Sequence, residues 1–127
     1  MGQIKILKIE KDLIKELTIE NDLKDIQREV DGSLENVSTF EILTKNNILA
    51  YTNKDGAHRK DFGVTMLATD GDTIIDVIKG PIVLVGSSDR GNITSLTDEQ
   101  IKMVRNKIYR IEYYNNIKNR YDTAYTF

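Results

Sequence analysis

A chain of 127 residues, 39% hydrophobic and 30% charged, is long enough for one domain with a sizeable core and a well-solvated surface. It lacks cysteine, which excludes a disulfide framework, a thiolate metal site and a thiol nucleophile, and its net charge of −2 argues against general nucleic-acid binding. No apolar run approaches the roughly 20 residues of a membrane span, and charges enter the N-terminus too early for a signal peptide, so the expectation is a cytoplasmic protein.

Gln3–Glu10 alternates apolar and polar residues and predicts a half-buried strand, with Leu13–Ile19 returning as the second arm of a hairpin, the alternative being a helical turn that begins at Asp12. Leu23, Ile26, Gln27 and Val30 share one face of a short amphipathic helix over Asp22–Val30, with Asn21 at its N-cap and Gly32 placed to end it in a left-handed conformation. Leu34–Ser38 and Thr39–Thr44 read as strands. The latter is joined to Ile48–Thr52 by a turn at Asn46-Asn47, a pair that tolerates positive φ. Asn53-Lys54-Asp55-Gly56 is a further turn, Ala57–Phe62 is polar and irregular, and Val64–Ala68 reads as another strand.

Asp70–Gly86 is the densest β-branched stretch, opened by Asp-Gly and split by Gly80-Pro81. Two strands meeting at a tight corner are expected, the second, Ile82–Val85, buried on both faces. Beyond the Ser87–Thr94 loop, Thr97-Asp98-Glu99-Gln100 matches a capping box that opens a helix. Ile101, Val104, Ile108, Ile111, Tyr114, Ile117 and Tyr121 then follow at spacings of three and four, predicting a helix of about 25 residues, roughly 37 Å long. The fold expected is therefore a single α+β domain over 1–127, a mainly antiparallel sheet with one short helix and a long amphipathic C-terminal helix.

Histidine is the usual general base, and His58 is the only one in the chain. No nucleophile-elbow pattern surrounds Ser87 or Ser88, and Asp70, Asp72 and Asp76 lack the later ligands of a calcium loop. No catalytic residue, metal site or cofactor is therefore assigned, and the expectation is a protein that is not an enzyme. Ser87, Ser88, Arg90 and Asn92, in the 86–92 loop, offer an alternative as a small-ligand or nucleotide site. They lack the Gly-Lys-Ser/Thr ending of a phosphate-binding loop.

Charge is distributed unevenly. Residues 1–101 hold 12 Lys/Arg and 18 Asp/Glu, whereas residues 102–121 hold six cations against Glu112, so an acidic body carries a basic C-terminal segment. There Arg105, Tyr109, Arg110, Tyr113, Tyr114, Lys118 and Arg120 interleave aromatic and basic side chains, the mixture enriched at protein interfaces and also used to stack nucleic-acid bases. These seven residues are the candidate partner-binding surface, with a host protein favoured over nucleic acid and a homodimer through the C-terminal helix as a further option.

The order of motifs resembles a known family. The features are Leu23-x-x-Ile26-Gln27-x-x-Val30-x-Gly32, the Asn53–Gly56 turn, Asp70–Gly80, Ile82–Gly86 and Ser95-Leu96-Thr97-Asp98-Glu99-Gln100. The pattern is similar to small domains of unknown function carried by phages, plasmids and integrated elements of Gram-positive bacteria. It covers about 4–108, leaving 109–127 as a tail. Where that family often has an Asn-Arg pair, this chain reads His58-Arg59-Lys60-Asp61. The resemblance implies a mobile-element accessory protein that binds and modulates a host protein, an anti-defence inhibitor of the anti-CRISPR kind being its sharpest form.

Overall fold

The computed structural model describes residues 2–127. Strands β1 (Gln3–Glu10) and β2 (Leu13–Glu20) form the expected hairpin, paired residue for residue from Gln3–Glu20 to Glu10–Leu13. Helix α1 (Leu23–Val30) follows, capped by Asp22, whose carboxylate accepts from the Asp25 N–H at 2.7 Å. Asn21 is not the cap; its side-chain amide instead donates to the Ile93 carbonyl at 3.2 Å. The left-handed residue closing α1 is Asp31 (φ 60°). Gly32 is needed for space, because a Cβ there would come within 2.7 Å of the Asn53 amide nitrogen. That buried amide donates to the Val30 and Asp31 carbonyls, satisfying the helix end.

Strand β3 (Leu34–Val37) leads to helix α2 (Glu41–Thr44), then β4 (Ile48–Asn53) and a 3₁₀ turn at Gly56–His58. The strand expected over Thr39–Thr44 is thus a helical turn, which sends both Phe40 and Leu43 into the core at a spacing of three. Asn47 does take positive φ (58°), but it follows a helix rather than joining two strands.

Strands β5 (Val64–Asp70), β6 (Thr73–Lys79), β7 (Ile82–Ser87) and β8 (Ile93–Thr94) precede helix α3 (Asp98–Lys107), and β9 (Tyr109–Asn115) and β10 (Arg120–Thr126) end the chain. They build two sheets. The first is antiparallel in the order β2-β1-β7-β4-β3, with β8 beside the end of β7; the second runs β6-β5-β10-β9, with β5 and β10 parallel.

β6 and β7, adjacent in sequence, belong to different sheets. Gly80 (φ 81°) turns the chain from one to the other. β7 is central in the first sheet and buried on both faces. Ile82 and Leu84 join the larger core with Leu7, Met66, Ile101, Val104 and Tyr125, while Val83 and Val85 pack on the α1 side with Ile4, Ile6, Ile26 and Val30. Two-sided burial explains its unbroken aliphatic sequence.

The C-terminal region corrects the expected fold. The capping box is real: the Gln100 N–H donates to Thr97 Oγ1 at 3.0 Å, and the Thr97 N–H donates to Gln100 Oε1 at 2.9 Å. The helix it opens is 10 residues long, not about 25, and Ile108 is already extended (ψ 140°). In place of an α+β domain with a long C-terminal helix, the architecture is mostly β, and residues 109–127 form a hairpin rather than a helical tail.

The physical reason is that Tyr109–Asn115 and Arg120–Thr126 are rich in β-branched and aromatic residues and also fit a period of two. Strand pairing delivers Ala124, Tyr125 and Thr126 to burial, with Phe127 packed against the core and 5.4 Å edge-on from Phe40. A continued helix would have placed Ile117 on its apolar stripe; instead Ile117 is 97% exposed at the hairpin turn. There the Asn115 side chain accepts from the N–H groups of Ile117 and Lys118, and Asn119 supplies positive φ (54°). A homodimer through a C-terminal helix loses its element.

Candidate functional site

The second sheet and its flanking loops enclose a groove of about 760 Å³. Its apolar lining comes from Phe62, Val64, Leu67, Val77, Tyr113, Tyr114 and Ile117. Leu67 and Val77 lie side by side in the β5–β6 ladder, and Tyr113 pairs with Asp122 across β9 and β10. Lys11 from the β1–β2 turn, Lys60 from the loop before β5, Lys79 from β6 and Lys118 from the β9–β10 turn bring four cations to it. Asp61 and Asp122 are the acids of the lining.

Those acids are already engaged. Arg59 donates from Nε and Nη2 to Asp61 at 2.7 and 2.5 Å, and from Nη2 to Asp31 at 3.0 Å, while stacking 4.2 Å from the Phe62 ring centroid. These hydrogen bonds raise the Arg59 pKa and lower that of Asp61. Asp122 accepts from the Asn115 amide at 3.1 Å and lies 3.4 Å from Arg120 Nε. Its pKa is held below the ordinary carboxylate value first by that hydrogen bond and then by the Arg120, Lys11 and Lys118 charges, against the opposing effect of burial. The four lysines make no ion pair within 4.0 Å among the described residues. Unpaired ammonium groups and neutralised carboxylates leave the groove electropositive within an acidic protein.

The framework of the groove is tied together. Arg110 pairs with Asp12 and donates to Thr123 Oγ1 at 2.9 Å, locking the β1–β2 turn, and with it Lys11, against the hairpin. Tyr114 stacks edge-to-face on Tyr121 with centroids 5.3 Å apart, and its hydroxyl donates to Asn119. Partial burial, and secondarily the Asp122 charge, raise the Tyr113 hydroxyl pKa above its ordinary value. Tyr113 thus meets the groove as a neutral phenol at neutral pH.

Of the partner-surface residues read from sequence, Tyr113, Tyr114 and Lys118 meet in this groove. Arg110 serves as a strut, Arg120 neutralises Asp122, exposed Tyr109 opens β9, and Arg105 sits apart on α3. They do not share a helix face. Ser87 ends β7, and Ser88, Arg90 and Asn92 lie in the connection to β8, where Ser88 Oγ accepts from the Asn92 N–H at 3.1 Å and the Ser88 N–H donates to the Asn92 carbonyl at 2.9 Å. These bonds close the backbone of the loop on itself and leave the Arg90 side chain outside them. His58 ends the 3₁₀ turn and is exposed.

A second cavity, of about 270 Å³, separates β3 from β6, and Thr39 donates to Asp76 at 3.0 Å on its wall. No group of three or more His, Cys, Asp or Glu side chains with metal-binding geometry occurs among the described residues, and no helix there is long and apolar enough to cross a membrane. Lys11, Lys60, Lys79, Phe62, Leu67 and Val77 went unnoticed in the sequence. They come from four separate segments, and no local spacing links them.

Residues 4–109 match the family model described as a domain of unknown function, DUF3846, and the chain belongs to that family. No curated protein and no solved structure matches the chain.

Proposed function

We propose that this DUF3846 domain is a non-enzymatic accessory protein of a phage or other mobile element that acts in the cytoplasm of its bacterial host by binding and modulating a host protein. Inhibition of a host defence system is the sharpest form of this reading. The observation that carries it is the end of the β9–β10 hairpin, where Ile117 is 97% and Tyr121 70% exposed beside Tyr114, with Lys118 and Arg120 around them. A large aliphatic and two tyrosines held in water at an exposed turn, with cations around them, have the composition of an interface anchor. The hairpin also lies almost wholly beyond the residues the family model matches, the place for a contact particular to this chain.

Affinity capture from host lysate with the wild-type chain and with an Ile117→Ser/Tyr121→Ala variant tests the proposal. The variant is expected to lose the captured protein while staying folded, since Ile117 makes little contact and the Tyr114–Tyr121 pair contributes about 0.5–1.5 kcal/mol. Equal capture by both proteins overturns it.

A further inference from the structure

We propose that the groove bounded by the β1–β2 turn, the loop before β5 and the β9–β10 hairpin binds a nucleotide unit, its phosphate among the lysines and its base against the Tyr113 ring. The site goes beyond the partner-binding reading and does not rest on it.

Charge selects an anion. Lys11, Lys60, Lys79 and Lys118 converge from four segments without an ion-pair partner among the described residues, while Asp61 and Asp122 are held by Arg59, Asn115 and Arg120. Lysine ammonium groups bind phosphate as point charges, and several of them together suit its multiple negative oxygens. The apolar and aromatic lining beside them, not the kind of cation, sets a nucleotide apart from a simple carboxylate.

The remaining lining selects the other half of the ligand. Tyr113 lies on the hairpin face that carries Asp122, with Leu67 and Val77 along the other strands of the sheet, whereas Tyr114 takes the opposite face and stacks on Tyr121. Base-on-aromatic stacking uses such a surface without demanding a particular base. The volume of about 760 Å³ lies inside the range of roughly 300–1,000 Å³ typical of small-molecule sites. The Arg110–Asp12 pair and the Tyr114–Asn119 hydrogen bond fix the walls beforehand, so less ordering accompanies binding.

A free nucleotide and the end of a single strand share this chemistry, and titration separates them. AMP, ATP, inorganic phosphate, a short oligo-dT and an oligo-glutamate peptide are added to the full chain, read by tyrosine fluorescence and calorimetry at low and high salt. Binding of AMP or ATP identifies a free nucleotide; binding of oligo-dT alone identifies a strand. In either case Lys11→Gln/Lys60→Gln/Lys79→Gln is expected to weaken binding by about tenfold or more. Tyr113→Leu is expected to weaken base-bearing ligands about fivefold or more while leaving phosphate unaffected. Lys54→Gln, outside the groove, serves as the control, and circular dichroism checks each fold.

No binding by any nucleotide, unchanged affinity in either groove variant, or binding of oligo-glutamate alone overturns the proposal. The three substituted lysines lie off the hairpin, so loss of nucleotide binding with host-protein capture intact separates this site from the partner surface.

Discussion

Replacing Gly80 with alanine probes the corner that places β6 and β7 in different sheets. Gly80 sits at φ 81°, and an added Cβ would fall 2.5–2.9 Å from three atoms of the Phe62 ring, including its attachment carbon. The conformation alone costs a non-glycine residue about 1–2 kcal/mol. The ring must also move as a whole, disturbing its stack with Arg59 at 4.2 Å, and overpacking of this kind costs about 1–3 kcal/mol. Escape by moving the backbone is opposed by the Gly80 N–H bond to the Gly63 carbonyl at 3.0 Å and by Thr65 Oγ1, which donates to the Gly80 carbonyl at 2.6 Å. A total loss of about 2–5 kcal/mol follows, a large share of the ~5–15 kcal/mol that holds a domain together.

Urea denaturation followed by circular dichroism measures it, and a double-mutant cycle divides it. In a Phe62→Ala background the Gly80→Ala cost is expected to fall to the backbone share of about 1–2 kcal/mol. A Gly80→Ala cost below about 1 kcal/mol refutes the strained corner. An equal cost in both backgrounds, within about 0.5 kcal/mol, refutes the contact with Phe62. Because Phe62 also lines the groove, the same variant is expected to weaken any ligand bound there.

Two further outcomes follow from the hairpin. Truncation after Lys107 is expected to abolish cooperative thermal unfolding, because it strips buried Ala124, Tyr125 and Thr126 from the second sheet; a folded truncated protein overturns this placement of β10. In titration followed by NMR, Asp122 is expected to ionise below the usual carboxylate value of 3.8, and Asn115→Ala to move it upward, since the Asn115 hydrogen bond is the first cause of its shift. A folded-state pKa depressed in this way adds stability above the unfolded-state value and loses it as pH falls through the folded one, so that contribution disappears in acid. An Asp122 resonance that titrates at or above 3.8 is incompatible with the hydrogen bond.

Much of the first sheet is legible in the chain because its signals are local. The β1–β2 hairpin follows from alternation and a short gap, α1 from its apolar spacing, and the α3 start from Thr97 and Gln100, whose side chains reach only three residues. The groove is not legible. Lys11 and Asp122 are more than 100 residues apart and meet only because the Asp12–Arg110 pair brings the first turn to the last hairpin. The sequence signal in the hairpin itself was present but ambiguous. Asn115-Asn116 repeats the turn-forming pair of Asn46-Asn47, yet a stripe at spacings of three and four runs straight through it.

Local chemistry along the chain fixes where it breaks and which strand is most deeply buried. Asp70-Gly71 and Gly80-Pro81 punctuate, and Ile82–Val85 can be satisfied only by apolar neighbours on both sides. Beyond the β1–β2 hairpin, the partner of each strand is set by long-range packing: the Gly80 corner crosses between sheets, and residues 109–126 pair as strands. Helix and strand propensities for Ile, Tyr and Thr differ by less than about 1 kcal/mol per residue, too little to choose between periods of 2 and 3.6. The choice belongs to β5, whose edge β10 completes, and to the core that receives Tyr125.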